Sequence, residues 1–385
     1  MDRVFPPSSS EQRPPRRLNF FRVSRQIILG IVMFAIGFGL RSLILRSENT
    51  IQLLSPLTSL HVEQQRENPY EKYRFSALRD LQLTPQAITL HEILDSSTTH
   101  TSYLTSWTVP NLETGQHQKV SAQINIPQGE GPFPVIIMLR GYADREIYST
   151  GLGTRNAAAA FASNGYITIA PDFLGYGQSD SESTDTLIAR FSRPITVLQL
   201  LANLQNLSLK LDATGSSAAT TDLTLSPTEA TALFDTTDIG IWAHSNGGQI
   251  ALSILEITSR TIPTTLWAPV SKPFPYSVLY FTDELPDNGA YLRQQIAYFE
   301  YELGNDPEEF SILHEPARIL APMQIHQGDA DDAVPLEWSE ELLSTLEEAT
   351  VAAELYSYPG TDHNMVPNWE TAVQRDLQFF RQHLQ

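Results

Sequence analysis

The chain has 385 residues, of which 25 are Lys or Arg and 44 are Asp or Glu, so its formal net charge at pH 7 is −19. This surplus of acid argues against a nucleic-acid partner, because binding to phosphates depends on Lys and Arg. The apolar fraction of 41% allows a large globular core and excludes disorder throughout the chain. The chain contains no Cys, which excludes a disulfide framework, a thiol nucleophile and a Cys-ligated metal.

The N-terminal residues differ in charge from the rest of the chain. Residues 1–46 contain eight Arg and two acidic residues, so they carry +6 and the remainder carries −25. A basic tail, 1–26, leads into an apolar stretch, 27–45, that would be about 28 Å long as a helix, close to the ~30 Å hydrocarbon core of a bilayer. The sequence therefore predicts a cytoplasmic tail, a single-pass membrane anchor and an acidic remainder on the extracytoplasmic side. A cleaved signal peptide is the alternative, but no small-residue cleavage site follows.

The rest of the chain divides at about residue 100. Residues 46–100 are polar and mixed, and they are interpreted as a linker and cap with helices around 68–81 and 84–94. Residues 101–385 begin with two adjacent β-rich runs, typical of an antiparallel hairpin, and from Pro134 onward strands alternate with helical runs. This order predicts a mostly parallel α/β sheet with an antiparallel N-terminal edge.

Two insertions interrupt that alternation. Residues 211–237 are rich in Thr, Ser and Ala and are predicted to form a surface excursion. Residues 271–318 are rich in aromatic side chains and show helical spacing, which favours a lid over the edge of the sheet. A packing appendage is an equally good interpretation, because aromatic stripes are often part of a core.

A strand that runs into a glycine-rich turn and then a helix is the strongest local signal. In the segment 239–252 the turn carries Ser245, followed by Gly247. A strained strand-to-helix turn of this kind exposes a nucleophilic hydroxyl and is typically written G-x-S-x-G. Here Ala243 replaces the first Gly, so by itself the segment is equally consistent with a chance Ser in a glycine-rich turn.

An acid and a base follow in the order that this arrangement needs. Acyl transfer from Ser requires an imidazole base and a carboxylate that fixes the tautomer of the ring. Asp331 lies in an acidic loop after one predicted strand, and His363 follows the next strand and a Pro-Gly turn. The chain order of nucleophile, acid and base is the one expected for strand-end loops of a parallel sheet.

Together these motifs resemble the α/β-hydrolase fold and, within it, the catalytic domain of the prolyl oligopeptidase family of serine peptidases. The likeness extends from Gln118 to the C-terminus. It rests on RGY at Arg140 to Tyr142, APDFLGYGQSD at Ala170 to Asp180, the AHSNGG turn, the GDADDAVP loop and PGTDH. The expected fold class is thus a mostly parallel sheet with a helical lid insertion, preceded by one N-terminal transmembrane helix.

The resemblance implies roles for five residues. Ser245 would be the nucleophile, Asp331 the orienting acid and His363 the general base. The backbone N–H groups of Asn246 and Tyr142 would form the oxyanion hole. Members of this family commonly have His or Tyr where Arg140 stands. Arg140 could therefore donate to the oxyanion, bind a substrate carboxylate or form a salt bridge.

No metal and no cofactor are predicted. Asp329 and Asp332 flank Asp331, as in a calcium loop, but the D-x-[DN]-x-[DN]-G pattern is absent. No HExxH motif or other set of spaced metal ligands occurs in the sequence.

The predicted function is a membrane-anchored serine hydrolase that cleaves the amide bonds of small peptides through a Ser-His-Asp triad and an acyl-enzyme. A carboxylesterase of the same fold needs the same triad and is the first alternative. A catalytically inactive hydrolase fold that serves as a binding module is the second, because Ala243 and Arg140 depart from the usual pattern.

Overall fold

A computed structural model describes residues 67–211, 223–225, 232–285 and 287–384 of the chain. In these residues eleven strands form one sheet in the order β11-β10-β9-β8-β4-β5-β3-β2-β1-β6-β7. The strands are β1 (Ile88–Ser96), β2 (His100–Pro110), β3 (His117–Pro127), β4 (Phe133–Leu139), β5 (Ile167–Pro171), β6 (Leu209–Leu211), β7 (Leu223–Leu225), β8 (Phe234–His244), β9 (Thr264–Trp267), β10 (Met323–Gly328) and β11 (Ala353–Tyr358).

The six strands from β5 to β11 in the sheet order run parallel to one another. Their sequences are almost continuously apolar because helices cover both faces, and all five residues from Val135 to Leu139 are fully buried. The helices are α1 (Phe75–Arg79), α2 (Arg155–Ala162), α3 (Thr186–Phe191), α4 (Arg193–Gln205), α5 (Asn246–Thr258), α6 (Tyr276–Leu279), α7 (Ala290–Ala297), α8 (Leu336–Glu348) and α9 (Trp369–His383).

The N-terminal strands complete the sheet in antiparallel fashion. β1 pairs with β2, β2 with β3, and β3 joins β5, all antiparallel. The mostly parallel sheet with an antiparallel N-terminal edge is therefore the one that the sequence predicted. The fold is α/β-hydrolase-like.

One part of the expected fold class is corrected, namely the N-terminal transmembrane helix. Among the described residues no helix is long and apolar enough to cross a membrane. The predicted anchor at 27–45 lies outside the described residues, as do the basic tail at 1–26 and most of the surface excursion at 211–237. The fold of the described residues therefore contains no transmembrane helix.

Residues 67–100 also differ from the helices expected there. The segment predicted as helical over 68–81 contains a 3₁₀ turn, Glu71–Tyr73, and the short helix α1. The helix predicted over 84–94 is wrong, because this stretch enters the strand β1, which pairs with β2 on one side and β6 on the other. The sheet thus begins before residue 101.

The insertion between β9 and β10 is helical, as expected. It contains α6, α7 and a π-helical turn at Tyr298–Glu302, with 3₁₀ turns at Thr282–Glu284, Pro307–Phe310 and Pro316–Arg318. Three of its four phenylalanines, Phe274, Phe299 and Phe310, are buried. The rings of Phe299 and Phe310 lie 4.9 Å apart, and both pack on Phe191 of α3. Its tyrosines are mostly exposed, with Tyr291 and Tyr301 more than half exposed. The phenylalanines therefore anchor the insertion to the core, and the tyrosines face solvent.

Candidate active site

Ser245 lies between the end of β8 and the start of α5, in a strained backbone conformation with φ 55° and ψ −120°. Its N–H donates to the carbonyl of Trp267 over 2.9 Å, and its own carbonyl accepts from Gly248 and Val270 at 2.9 and 3.0 Å. A non-glycine residue with positive φ costs free energy and persists only where its surroundings fix it. The sharp turn predicted from the sequence is therefore present and is held from both sides.

The small residues around Ser245 are required by close contacts. A Cβ atom at Gly247 would overlap the carbonyl oxygen of Leu139, and one at Gly248 would come within 2.6 Å of the Pro269 Cβ. Ala243, which replaces the usual first glycine, is fully buried in β8. Its methyl group is accommodated there, so the departure from G-x-S-x-G leaves the turn intact.

The loop after β4 passes directly over the serine. A Cβ atom at Gly141 would lie 2.8 Å from Ser245 Cβ and 3.4 Å from its Oγ. The next residue is Tyr142, and neither its backbone N–H nor that of Asn246 donates to any other described residue. Two free N–H groups beside a serine, one of them at a helix N-terminus, can stabilise an oxyanion.

The predicted acid and base are in contact. Asp331 follows β10 and His363 follows β11, and their Oδ2 and Nδ1 atoms are 2.8 Å apart. The backbone N–H groups of Ala333 and Val334 donate to Asp331 Oδ1 at 2.9 and 2.8 Å. Gln327 Nε2 donates to Oδ2 at 2.8 Å. The carboxylate is thereby fixed so that it can orient the imidazole ring.

His244 links the His363 loop to the serine turn. Its Nε2 lies 2.9 Å from the His363 carbonyl oxygen, and the centroids of the two rings are 4.7 Å apart. Because Ser245 is the next residue in the chain, these contacts bring the loop of His363 close to the serine turn, while no hydrogen bond joins the Ser245 hydroxyl to His363 among the described residues. All three side chains lie at the carboxyl ends of parallel strands, where this kind of sheet places its active sites.

The ionisation of the site follows from burial and hydrogen bonding. Burial opposes the charged form of Asp331, but the bonds from His363 and from the N–H groups of Val334 and Ala333 outweigh it and hold its pKa below the usual range. Burial, reinforced by the charge of His363, lowers the pKa of His244 to about 4. His244 is therefore neutral at the pH values where an imidazole base works.

Arg140 lies in an aromatic box next to the same loop. Its Nη1 and Nη2 donate to the carbonyls of Gly141 and Asp172, both at 2.9 Å. The guanidinium lies over the rings of Tyr176 and Tyr148, at 4.0 and 4.7 Å from their centroids. Among the described residues Arg140 has no ion pair with a carboxylate, so the structure does not support the salt-bridge interpretation. Its hydrogen bonds and ring contacts support the loop.

Residues 227–385, which contain Ser245, Asp331 and His363, match the sequence profile of the prolyl oligopeptidase family. The chain is a serine hydrolase of the α/β-hydrolase fold. No curated protein sequence matches the hydrolase significantly.

Solved structures share the fold at low sequence identity. Acetyl xylan esterase 1 from Thermoanaerobacterium sp. JW/SL YS485 matches with a TM-score of 0.55 and 15% identity over 81% of this chain and 93% of its own. Acetyl xylan esterase from Paenibacillus sp. R4 matches with a TM-score of 0.53 and 15% identity over 80% and 92%. A puromycin-hydrolysing peptidase of Mycobacterium tuberculosis has a TM-score of 0.46, with 17% identity over 75% and 46%. At these identities the two matches with a TM-score above 0.5 show the fold alone.

The residues named from the sequence all lie at this edge of the hydrolase sheet, but the contacts of two others there were not predicted. Gly141 is one: it belongs to the RGY motif, but the motif alone does not predict its contact with Ser245. Gln327 is another: its amide bonds Asp331 and is itself held by Ser339, whose Oγ donates to Gln327 Oε1 at 2.9 Å. No sequence pattern distinguishes such a polar residue in a strand from one that merely packs.

Proposed function

We propose that Ser245, His363 and Asp331 are the nucleophile, base and orienting acid of a serine peptidase that acts on small peptides. The contact of 2.8 Å between His363 and Asp331, beside a strained serine, is the observation that carries this proposal. Asp331 accepts the Nδ1 proton, which leaves Nε2 free to take the proton of the serine hydroxyl.

The reaction then follows from the positions of these groups. As His363 Nε2 removes the Ser245 proton, Oγ attacks the carbonyl carbon of the scissile bond. The backbone N–H groups of Tyr142 and Asn246 stabilise the negative charge that develops on the carbonyl oxygen. His363 returns the proton to the departing amine, and water attacks the acyl-enzyme in the same way to release the acid.

The match of residues 227–385 to the prolyl oligopeptidase family supports amide bonds as the target. A carboxylesterase is the second candidate, and one feature favours it. A cavity of about 30 Å³ is lined by Gly141 and by Tyr142 and Asn246, the two residues whose backbone N–H groups are free. A space of this size suits a short acyl group, as many esters carry, better than a long peptide chain.

Turnover of matched substrates tests the proposal. Peptidyl p-nitroanilides and short-chain p-nitrophenyl esters are compared with the wild-type protein, Ser245→Ala and the control Ser163→Ala, which removes an exposed hydroxyl after α2. We expect hydrolysis of the anilides, a loss of about 10⁶-fold in kcat for Ser245→Ala, and no loss for the control. Hydrolysis of esters alone would support the esterase, and no turnover of either class would support an inactive binding module.

A further inference from the structure

Two small cavities adjoin Asn246, the residue after the proposed nucleophile. The first contains the loop residues Gly141 and Tyr142 together with Arg193, and the second contains Arg193 and Arg190. Each has a volume of about 30 Å³. Arg193 lines both cavities. It therefore lies between the first cavity, whose walls include Tyr142 and Asn246, and the second cavity, whose walls include several residues of α5.

The walls of these cavities carry positive charge and no acid. Besides Arg190 and Arg193, Arg140 lines the first cavity, and no Asp or Glu lines either one. The chain as a whole has 44 acidic residues and 25 basic ones. Two adjacent cavities whose charged residues are all basic are therefore not expected from the composition. The charged side chains that line the two cavities beside Asn246 are therefore all basic, in a protein that is acidic as a whole.

Arg190 and Arg193 also lack ion-pair partners among the described residues. Arg190 donates to the side-chain oxygen of Gln249 and, over 3.3 Å, to Ser277. Glu182 is the carboxylate whose charge raises the pKa of Arg193. However, Glu182 accepts its hydrogen bond from Arg145 and not from Arg193. Two guanidinium groups thus share a partly buried site without a directly paired anion.

Both arginines are charged at neutral pH even so. Burial lowers the pKa of Arg190 to about 9, with a further contribution from the charge of Arg193. Burial likewise lowers the pKa of Arg193. Electrostatic interactions with Glu182 and Tyr176 raise this pKa, and the charges of Arg140 and Arg145 lower it further. Partly buried cations without a paired anion are costly, so an anion that enters this space is strongly favoured.

We propose that Arg193 and Arg190 form a carboxylate-binding subsite for the acyl group, so that preferred substrates carry a carboxylate on the acyl side of the scissile bond. This inference rests on the proposed role of Ser245. Each cavity has room for about two water molecules, which is the size of a carboxylate group. The planar guanidinium matches a carboxylate with two parallel hydrogen bonds. In a peptide the carboxylate would be a Glu or Asp side chain, and in an ester it would be the second acid group of a dicarboxylic half-ester.

Two isosteric substrate pairs test the subsite on the full chain. One pair is a peptidyl-Glu and a peptidyl-Gln p-nitroanilide, and the other is the glutaryl and 5-oxohexanoyl p-nitrophenyl esters. Each pair differs in charge at nearly constant shape. We expect kcat/KM to be at least about tenfold higher for the charged member of one pair, since one good charge-assisted contact gives this factor. The pair that shows it identifies the source of the carboxylate. A ratio near one in both pairs would overturn the subsite.

Substitutions then assign the effect to the arginines. Arg193→Gln and Arg190→Gln are expected to bring the ratio towards one. Arg193→Lys, which keeps the charge and loses the fork, is expected to give an intermediate ratio. Arg381→Gln removes one positive charge from an exposed site on α9 and is expected to leave the ratio unchanged. If the ratio of kcat/KM between the charged and uncharged substrates is the same in all four variants, the subsite is overturned.

Failure of the subsite and failure of the proposed function give different results. Fluorophosphonate labelling of the wild-type protein reports the nucleophile whatever the acyl preference. Labelled protein that turns over the substrates with a charge ratio of one overturns the subsite alone. Unlabelled protein overturns the proposed function. The wild-type ratio decides the matter even if an arginine variant fails to fold, which thermal unfolding detects.

Discussion

The carboxyl group of Asp331 accepts four hydrogen bonds, from His363, Gln327 and two backbone N–H groups. These bonds depress its pKa, so its contribution to stability is present above the ordinary pKa of an aspartate and is lost as the pH falls through the lower folded value. The sequence order predicted the acid and the base, because each follows a strand. It did not predict the roles of Gln327 and Arg193, because these roles depend on contacts with residues that are distant in the sequence, and such contacts leave no local pattern.

Replacing Asp331 by Asn tests the orienting role. The Asn amide presents N–H to His363 in place of a carboxylate, so the ring is expected to adopt the wrong tautomer and kcat to fall by about 10³–10⁴-fold. Asp332→Asn changes the exposed neighbouring acid and is the matched control. Steady-state kinetics check the result. A loss below tenfold in kcat for Asp331→Asn would show that Asp331 does not orient the base.

The loop after β4 and the turn between β8 and α5 act as a pair of elements. Their contact at Gly141 leaves no room for a side chain beside Ser245. The sequence predicted the turn, because a strand, small residues and a helix follow one another along the chain. It did not predict β1, because the same residues suit a helix or a strand and only pairing with β2 and β6 decides between them.

Gly141→Ala is expected to displace the loop and with it the Tyr142 N–H. Loss of one oxyanion donor costs about 10²–10³-fold in kcat, so a decrease of this size is expected. Gly115→Ala, in the β2–β3 turn, has room for the methyl group but strains the backbone at a φ of 72°, so it controls for strain away from Ser245 and is expected to leave kcat unchanged. Steady-state turnover of a p-nitrophenyl ester measures both. An unchanged kcat in Gly141→Ala would argue against the oxyanion role of this loop.

Glu256 connects α5 to the insertion, because its side chain accepts from the N–H groups of Leu313 and Glu315 at 2.7 and 2.6 Å. Burial raises its pKa to about 7, although the N–H of Leu313 and electrostatic interactions with His314, Arg79 and Arg318 act against this rise. A carboxyl group with a raised folded pKa binds more protons in the folded state, so its stabilising contribution is present below the ordinary pKa and is lost as the pH rises through about 7.

We therefore expect the free energy of unfolding to decrease between about pH 5 and pH 8 by on the order of 3 kcal/mol through this one group. Glu256→Gln removes the titration and is expected to flatten that part of the pH dependence, even though it weakens the contact itself. Urea unfolding at several pH values measures the slope. The same slope in the wild type and in Glu256→Gln would contradict the assignment.

At the scale of the whole molecule, a chain with a net charge of −19 brings three basic residues, Arg140, Arg190 and Arg193, together in the walls of two adjacent cavities. The order of strands and helices was readable from the sequence because each parallel strand needs a crossover. The cavities were not, since their walls come from segments far apart in the chain: Tyr73 and Phe75 near its start, Phe310 in the insertion. Residues interpreted as a linker thus form part of the core.

The pH dependence of activity is a property of the assembled site. Activity that needs a neutral imidazole falls on acidification, and His244, with a pKa of about 4, does not titrate in the same range. We expect kcat/KM to decrease as the pH falls from about 8 to 5, in a single step. A flat profile over this range would contradict a histidine base.

Mapping of a fluorophosphonate adduct by mass spectrometry tests the central claim most directly. The account predicts one adduct, on Ser245, that is absent in Ser245→Ala and forms much more slowly in Asp331→Asn. Folded protein that is not modified at Ser245, or that is modified equally fast in Asp331→Asn, would contradict it.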